Sequence, residues 1–319
     1  GAITQSVTDR RAEAAAGFAG RGANTACAMA AVDEQKVPAG DDAPNRSQAE
    51  TAATVAASAT ATGERRDEAL VYAFTNQKGG VAKTTTTVNL AAAFAERGLR
   101  VLAIDLDPQA NLTMSQGIDP DSLEVSMYDV LVHGLPIKRV IRRREVDVAC
   151  ASIDLAGAEI AMSTKIGRER QLAKALKPVK SEYDYIFIDT PPSLGLLTIN
   201  ALTAADKVIV PVQCEYLSMR GLIQLQNTLS MVKEELNPRI EIEGILPTLV
   251  DTRTVHAKEA IEILEENFGD RVFASRINKT IRFAEAPVKG MSVLKYDPDG
   301  KAAYAYRELA EEVLGNGKR

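Results

Sequence analysis

Asn-Gln-Lys-Gly-Gly-Val-Ala-Lys-Thr-Thr-Thr-Thr, residues 76–87, lies between an apolar run at Tyr72–Thr75 and an Ala- and Leu-rich stretch over about Thr84–Glu96. A strand, a glycine-bearing loop and a helix in that order predict a phosphate-binding loop. Glycines let the backbone close around an anion, so that amide N–H groups and the helix N-terminus point at negative charge. Gly79, Gly80, Val81, Ala82 and Thr85 would form the cradle. Lys83 would reach the β- and γ-phosphates, and the Thr84 hydroxyl would ligand Mg2+. Lys78 is an additional lysine that the general loop does not need. Ala82 stands where such loops usually have Gly; its methyl disfavours positive φ and crowds a phosphate, which predicts altered affinity or turnover.

Working outward, strand and helix patterns alternate from Ala69 onward. Strands are expected at Arg100–Leu106, Tyr185–Ile188, Lys207–Val212 and Ile240–Val250, with short ones at Val272–Ile277 and Ser292–Leu294. Helices are expected over about Ser218–Leu236, Thr254–Phe268 and Lys301–Leu314, with Gly315 just past the end. Residues 122–146 read as short helices and connections, with a basic run at Arg142–Arg144. Such alternation predicts an α/β fold: a mostly parallel twisted sheet covered by helices on both faces, binding ligands at the carboxyl ends of its strands.

Acidic residues fall at those ends. Asp105 and Asp107 stand in Ala-Ile-Asp-Leu-Asp-Pro-Gln, and Asp189 in Ile-Phe-Ile-Asp-Thr-Pro-Pro. A carboxylate closing an apolar strand is costly to bury unless it meets a cation or a donor. Beside a phosphate loop that cation is Mg2+ or its water shell.

Composition narrows the class. The chain has 319 residues, a formal charge of −5 and 45% hydrophobic residues, with aromatics at 5% and no Trp. The core must be aliphatic, as suits buried parallel strands. An acidic total means that any nucleic-acid contact needs a local basic patch. Three scattered cysteines and two histidines argue against a zinc or iron–sulfur centre and against a disulfide framework. No apolar run approaches the ~20 residues of a membrane span and no secretory pattern is visible, so a cytoplasmic protein is expected. Residues 1–68 are rich in Ala, Thr, Ser and Gly, with Phe18 as their one aromatic, and read as an extension too poor in apolar side chains to fold beyond a short helix near Arg10–Phe18. The ATPase-like pattern occupies 69–319.

Residues from about 70 to 315 resemble the ParA/Soj-type partitioning ATPases of the deviant Walker A class, relatives of MinD. The resemblance rests on residues 78–85, 105–111 (Asp-Leu-Asp-Pro-Gln-Ala-Asn), 187–193 (Phe-Ile-Asp-Thr-Pro-Pro-Ser), 211–216, 282–287 (Arg-Phe-Ala-Glu-Ala-Pro) and 294–298. It implies ATP and Mg2+ as cofactors. It implies that Lys78 crosses a nucleotide-sandwich homodimer to the partner's phosphates, that Asp107 positions the attacking water, and that Asp189 and Asp105 support the metal with Thr84. It also implies binding of double-stranded DNA without sequence preference, with Arg220, Arg276, Lys279 and Arg282 as contacts. A ParB-type centromere-binding partner would stimulate hydrolysis, and the protein would be nucleoid-associated. A MinD-like membrane-associated ATPase and a cargo-positioning relative are the competing readings. The first needs an amphipathic C-terminal helix, and the end of this chain is acidic and short of bulky apolar residues. A metallocluster carrier of the same fold lacks its paired cysteines here.

Overall fold

A computed structural model describes residues 67–214, 219–251 and 253–315. The expectations for residues 1–66 lie outside the described residues. The strands are β1 (Leu70–Phe74), β2 (Val101–Asp105), β3 (Ile141–Arg143), β4 (Asp147–Ala149), β5 (Tyr185–Asp189), β6 (Lys207–Gln213), β7 (Glu241–Val250) and β8 (Ile277–Asn278). They form one sheet in the order β3-β4-β2-β5-β1-β6-β7-β8. Neighbours are parallel except β3 and β4. The helices are α1 (Lys83–Ala95), α2 (Asn111–Ser115), α3 (Ala158–Ala161), α4 (Gln171–Leu176), α5 (Leu196–Ala204), α6 (Met219–Glu235), α7 (Val255–Phe268), α8 (Arg282–Val288), α9 (Val293–Tyr296) and α10 (Lys301–Gly315).

Both sheet faces are covered, which is why the central strands are apolar without alternation. Val71 and Ala73 of β1 pack with Leu172 and Leu176 of α4, Ala201 of α5 and Leu225 of α6. Tyr72 and Phe74, pointing the other way, pack with Leu90 and Phe94 of α1 and Tyr306 of α10. The few aromatics concentrate on this second face. Phe187 of β5 meets Tyr72, Phe74 and Phe94 edge-on, with centroids 5.6, 5.3 and 5.2 Å away. These tilted contacts are the geometry that aromatic quadrupoles favour, and they fix α1 against β1 and β5.

The topology sets where the site lies. β1 sits between β5 and β6, and the chain continues to β2 on one side and later to β6 on the other. The crevice beyond the carboxyl end of β1 is therefore a switch point, and the loop of residues 76–82 occupies it.

Three local expectations are corrected. Ser292–Leu294 is a helix start, not a strand, because Ser292 Oγ accepts from Lys295 N (3.2 Å) and caps α9. The basic run at Arg142–Arg144 is not a plain connection, since Ile141–Arg143 forms the antiparallel edge strand β3. An edge strand leaves room for charge that a central strand does not. Val272–Ile277 is not a continuous strand: Val272 makes an isolated bridge to Ile245, and β8 begins at Ile277.

Candidate active site

The loop begins with a side-chain turn. Asn76 Oδ1 accepts from Lys78 N (3.0 Å), while Asn76 Nδ2 donates to Pro211 O (2.8 Å) and anchors the loop to β6. From the other side Thr248 Oγ1 of β7 donates to Val81 O (3.0 Å). Gly80 has φ +72° and needs its freedom. Ala82 has φ 63° and ψ 33°, the left-handed region, immediately before α1. The turn demands the conformation Gly adopts freely, and Ala adopts it at a cost.

Lys83 is buried, and its ammonium donates to Lys78 O (3.2 Å). Burial holds its pKa below the usual lysine value, opposed by the charges of Asp189 and Asp107. Thr84 Oγ1 donates to Asp189 Oδ2 (2.5 Å). Asp189 is fully buried at the end of β5, and its Oδ1 has no hydrogen-bond partner. Burial, followed by the nearby charge of Asp105, pushes its pKa well above the ordinary carboxylate range. An orphaned carboxylate oxygen beside a threonine hydroxyl and a lysine is the chemistry that a hydrated Mg2+ satisfies. Among the described residues no cluster of His, Cys, Asp and Glu could hold a metal by itself, so an ion here would take most of its ligands from phosphate and water.

Asp107 lines the cleft and accepts from Gln109 N through Oδ1 (3.0 Å). Asp105 behaves differently from its expected metal role. Its oxygens accept from Asp107 N (3.1 Å), Thr113 N (2.9 Å) and Thr113 Oγ1 (2.8 Å). It does not line the cleft. Burial outweighs these donors and raises its pKa to about 6. In this arrangement Asp105 is a clamp that shapes the Asp107 loop.

The cleft has a volume of about 470 Å3. Gly79, Gly80, Ala82, Lys83, Thr84 and Thr85 form its polar end, and Leu249, Phe283, Pro287, Met291 and Val293 form an apolar end. That apolar end is absent from the sequence-based site. Residues 282–287 carry a recognised motif, but nothing in the spacing of Leu249, Phe283 and Met291 announces that they converge. Leu249 is itself in the left-handed region at φ 51°, beside an irregularity in the β7–β8 pairing.

Lys78 is placed elsewhere. It lines a separate hollow with Asn76, Gln77, Val81, Val212, Gln213, Gly221 and Leu222, and its Nζ donates to Gln213 Oε1 (3.3 Å). Of the four expected DNA contacts, Arg276, Lys279 and Arg282 flank the edge strand β8, whereas Arg220 is exposed at the start of α6. Arg276 pairs with Glu265 (2.7 Å), and Arg282 pairs with Glu285 (2.8 Å) and Asp297 (3.2 Å). Cys150 and Cys214 are buried, and burial pushes their thiols up to about 12 and about 11, so neither is a ready nucleophile. No helix among the described residues is long and apolar enough to cross a membrane.

Comparisons with known proteins give the family of the chain and its overall fold. An AAA domain family matches residues 69–242. The sporulation initiation inhibitor protein Soj of Bacillus subtilis is 48% identical over 250 residues, 77% of this chain and 99% of that protein. The chromosome partitioning protein ParA of Myxococcus xanthus is 41% identical over 247 residues, 76% of this chain and 87% of that one. A crystal structure of cobyrinic acid a,c-diamide synthase from Mycobacterium smegmatis, with bound ATP analog and magnesium, is 42% identical with a TM-score of 0.70, covering 78% of this chain and 96% of that one.

Proposed function

The chain belongs to the ParA/Soj family of P-loop ATPases, and from that premise we propose that it is a DNA-partitioning ATPase whose nucleotide state sets its oligomeric state through Lys78. The observation that carries the reading is the placement of the two lysines. Lys83 lines the nucleotide cleft, whereas Lys78, from the same loop, lines a different hollow. A loop cation that lines a hollow other than its own cleft, with its Nζ donating to Gln213 Oε1, is one that a second subunit's phosphates would draw across.

The residues divide the work. Backbone N–H groups of residues 79–85 and Lys83 bind the triphosphate, and the apolar end takes the nucleoside. Thr84 and the open oxygen of Asp189 would hold a hydrated Mg2+, whose chemistry there would be neutralisation of phosphate charge. Asp107, held by the Asp105 clamp, orients the attacking water. Phosphoryl transfer needs mainly positioning and charge neutralisation, and a cation supplied in trans accelerates related reactions by about 10³–10⁵. Hydrolysis would thus follow dimerisation. The dimer would bind double-stranded DNA through Arg220, Arg276, Lys279 and Arg282, and a ParB-type partner would stimulate its turnover. Doubling the basic contacts on one particle is how ATP would switch DNA binding on.

Light scattering after size exclusion, with Mg·ATP, Mg·ADP and no nucleotide, tests the core of this reading. A doubling of mass with ATP alone, lost in Lys78→Ala while ATP affinity stays within about twofold, is the expected result. An ATP-bound monomer in the wild type would overturn it. Vesicle co-sedimentation separates the MinD-like alternative, which requires ATP-dependent lipid binding.

A further inference from the structure

We infer that Asn89 is a positioning residue for the nucleoside end of the cleft and that Glu145 supports it; the inference rests on the reading of this cleft as an ATP site. Asn is a poor residue for a helix interior, yet Asn89 is buried in the middle of α1. Both ends of its amide are used. Nδ2 donates to Thr85 O (2.7 Å), and Oδ1 accepts from Val293 N (2.7 Å). Each partner fixes the orientation of the amide, since a carbonyl needs the NH2 and an N–H needs the oxygen. Thr85 and Val293 both line the cleft, one at its phosphate end and one at its apolar end. A single side chain therefore sets the spacing between the two.

The neighbouring residues hold the same segment. Ser292 N and Ser292 Oγ donate to the two oxygens of Glu145 (2.8 and 2.5 Å). Glu145 lies in the turn between β3 and β4, an element with no residue in the cleft. A third restraint comes from backbone packing. A Cβ on Gly290 would lie 2.8 Å from Gly117 Cα, and both glycines have positive φ. Gly117 follows α2, whose Asn111 and Ser115 line the cleft. Residues 290–293, which carry Met291 and Val293, are thus fixed to α1, to the β3–β4 turn and to the segment behind Asp107. An apolar wall held in this way contributes to a ligand with a base and contributes nothing to a bare polyphosphate.

Titration of the wild type, Asn89→Ala and Glu145→Ala with Mg·ATP and with Mg-loaded inorganic tripolyphosphate separates positioning from general loosening. ATP affinity is expected to fall about tenfold in Asn89→Ala and about threefold in Glu145→Ala, the scale set by leaving a buried N–H unpartnered, while tripolyphosphate affinity stays within about twofold in Glu145→Ala, whose bonds reach Ser292 and not the phosphate end. Glu145 is only partly buried, so its variant carries the test if Asn89→Ala fails to fold. An unchanged ATP-to-tripolyphosphate ratio in Glu145→Ala, including a parallel loss of both ligands, overturns the inference and leaves the ATP site standing. A wild type that binds ATP no better than tripolyphosphate overturns both.

Discussion

Ala82 holds a backbone conformation that costs an L-residue about 1–2 kcal/mol, at φ 63° on the threshold of α1. Part of that cost is offset because Ala restricts the unfolded chain more than Gly does. Ala82→Gly is accordingly expected to stabilise the protein by about 0.5–1 kcal/mol and to change ATP affinity only slightly, as thermal melts and nucleotide titration would show. A variant that gains ATP binding from none would mean that the natural loop is defective. Asp105 illustrates the limit of motif reading at this scale. A carboxylate at a strand end beside a phosphate loop reads as a metal residue, but the hydroxyl and N–H of Thr113, eight positions away, donate to its Oδ2, and Asp107 N donates to its Oδ1. Only the fold brings those groups together. The orphaned oxygen of Asp189 sits at the end of the neighbouring strand, β5, and fits the ion.

At the scale of elements, α1 is held less by its own amphipathicity than by the sheet. It is buried along most of its length, and its position depends on Phe94 meeting Phe187 and Tyr185, with centroids 5.2 and 4.8 Å apart. Phe187→Ala is expected to cost about 3–5 kcal/mol in denaturant unfolding and to reduce ATP affinity by displacing the helix that carries Lys83 and Thr84. A loss below about 1 kcal/mol would show that the cluster does not fix α1. The long strands and helices were legible because their apolar runs are long and both sheet faces are buried. The short elements were not. Val293 and Leu294 suit a strand as well as a helix, and the Ser292 cap together with Asn89 decides the matter. Arg142–Arg144 looked like a solvated connection because charge is rare in strands, but β3 is an edge. The phosphate end of the cleft was readable because one contiguous loop builds it. The apolar end was not, because Leu249, Phe283 and Met291 come from separate elements and converge only in the fold.

At the scale of the whole molecule, an acidic chain with a charge of −5 must bind DNA through a local patch, if at all. Two of the proposed contacts are already engaged, Arg276 by Glu265 and Arg282 by Glu285 and Asp297. Exposed ion pairs of this kind are worth at most ~1 kcal/mol, so a phosphate can displace the carboxylate. Competition of this kind favours weak binding by one subunit and effective binding by two. Affinity of the ATP-bound form should then fall steeply with salt, with log K dropping by about 0.9 per phosphate neutralised for each decade of salt. The most direct measurement is DNA binding with ATP, ADP and no nucleotide, for the wild type and Lys78→Ala. The expected result is binding by the wild type with ATP alone and no ATP-dependent binding by Lys78→Ala; equal binding in all three nucleotide states, or an ATP-dependent increase that survives the loss of Lys78, would contradict the link from ATP through Lys78 to a second subunit.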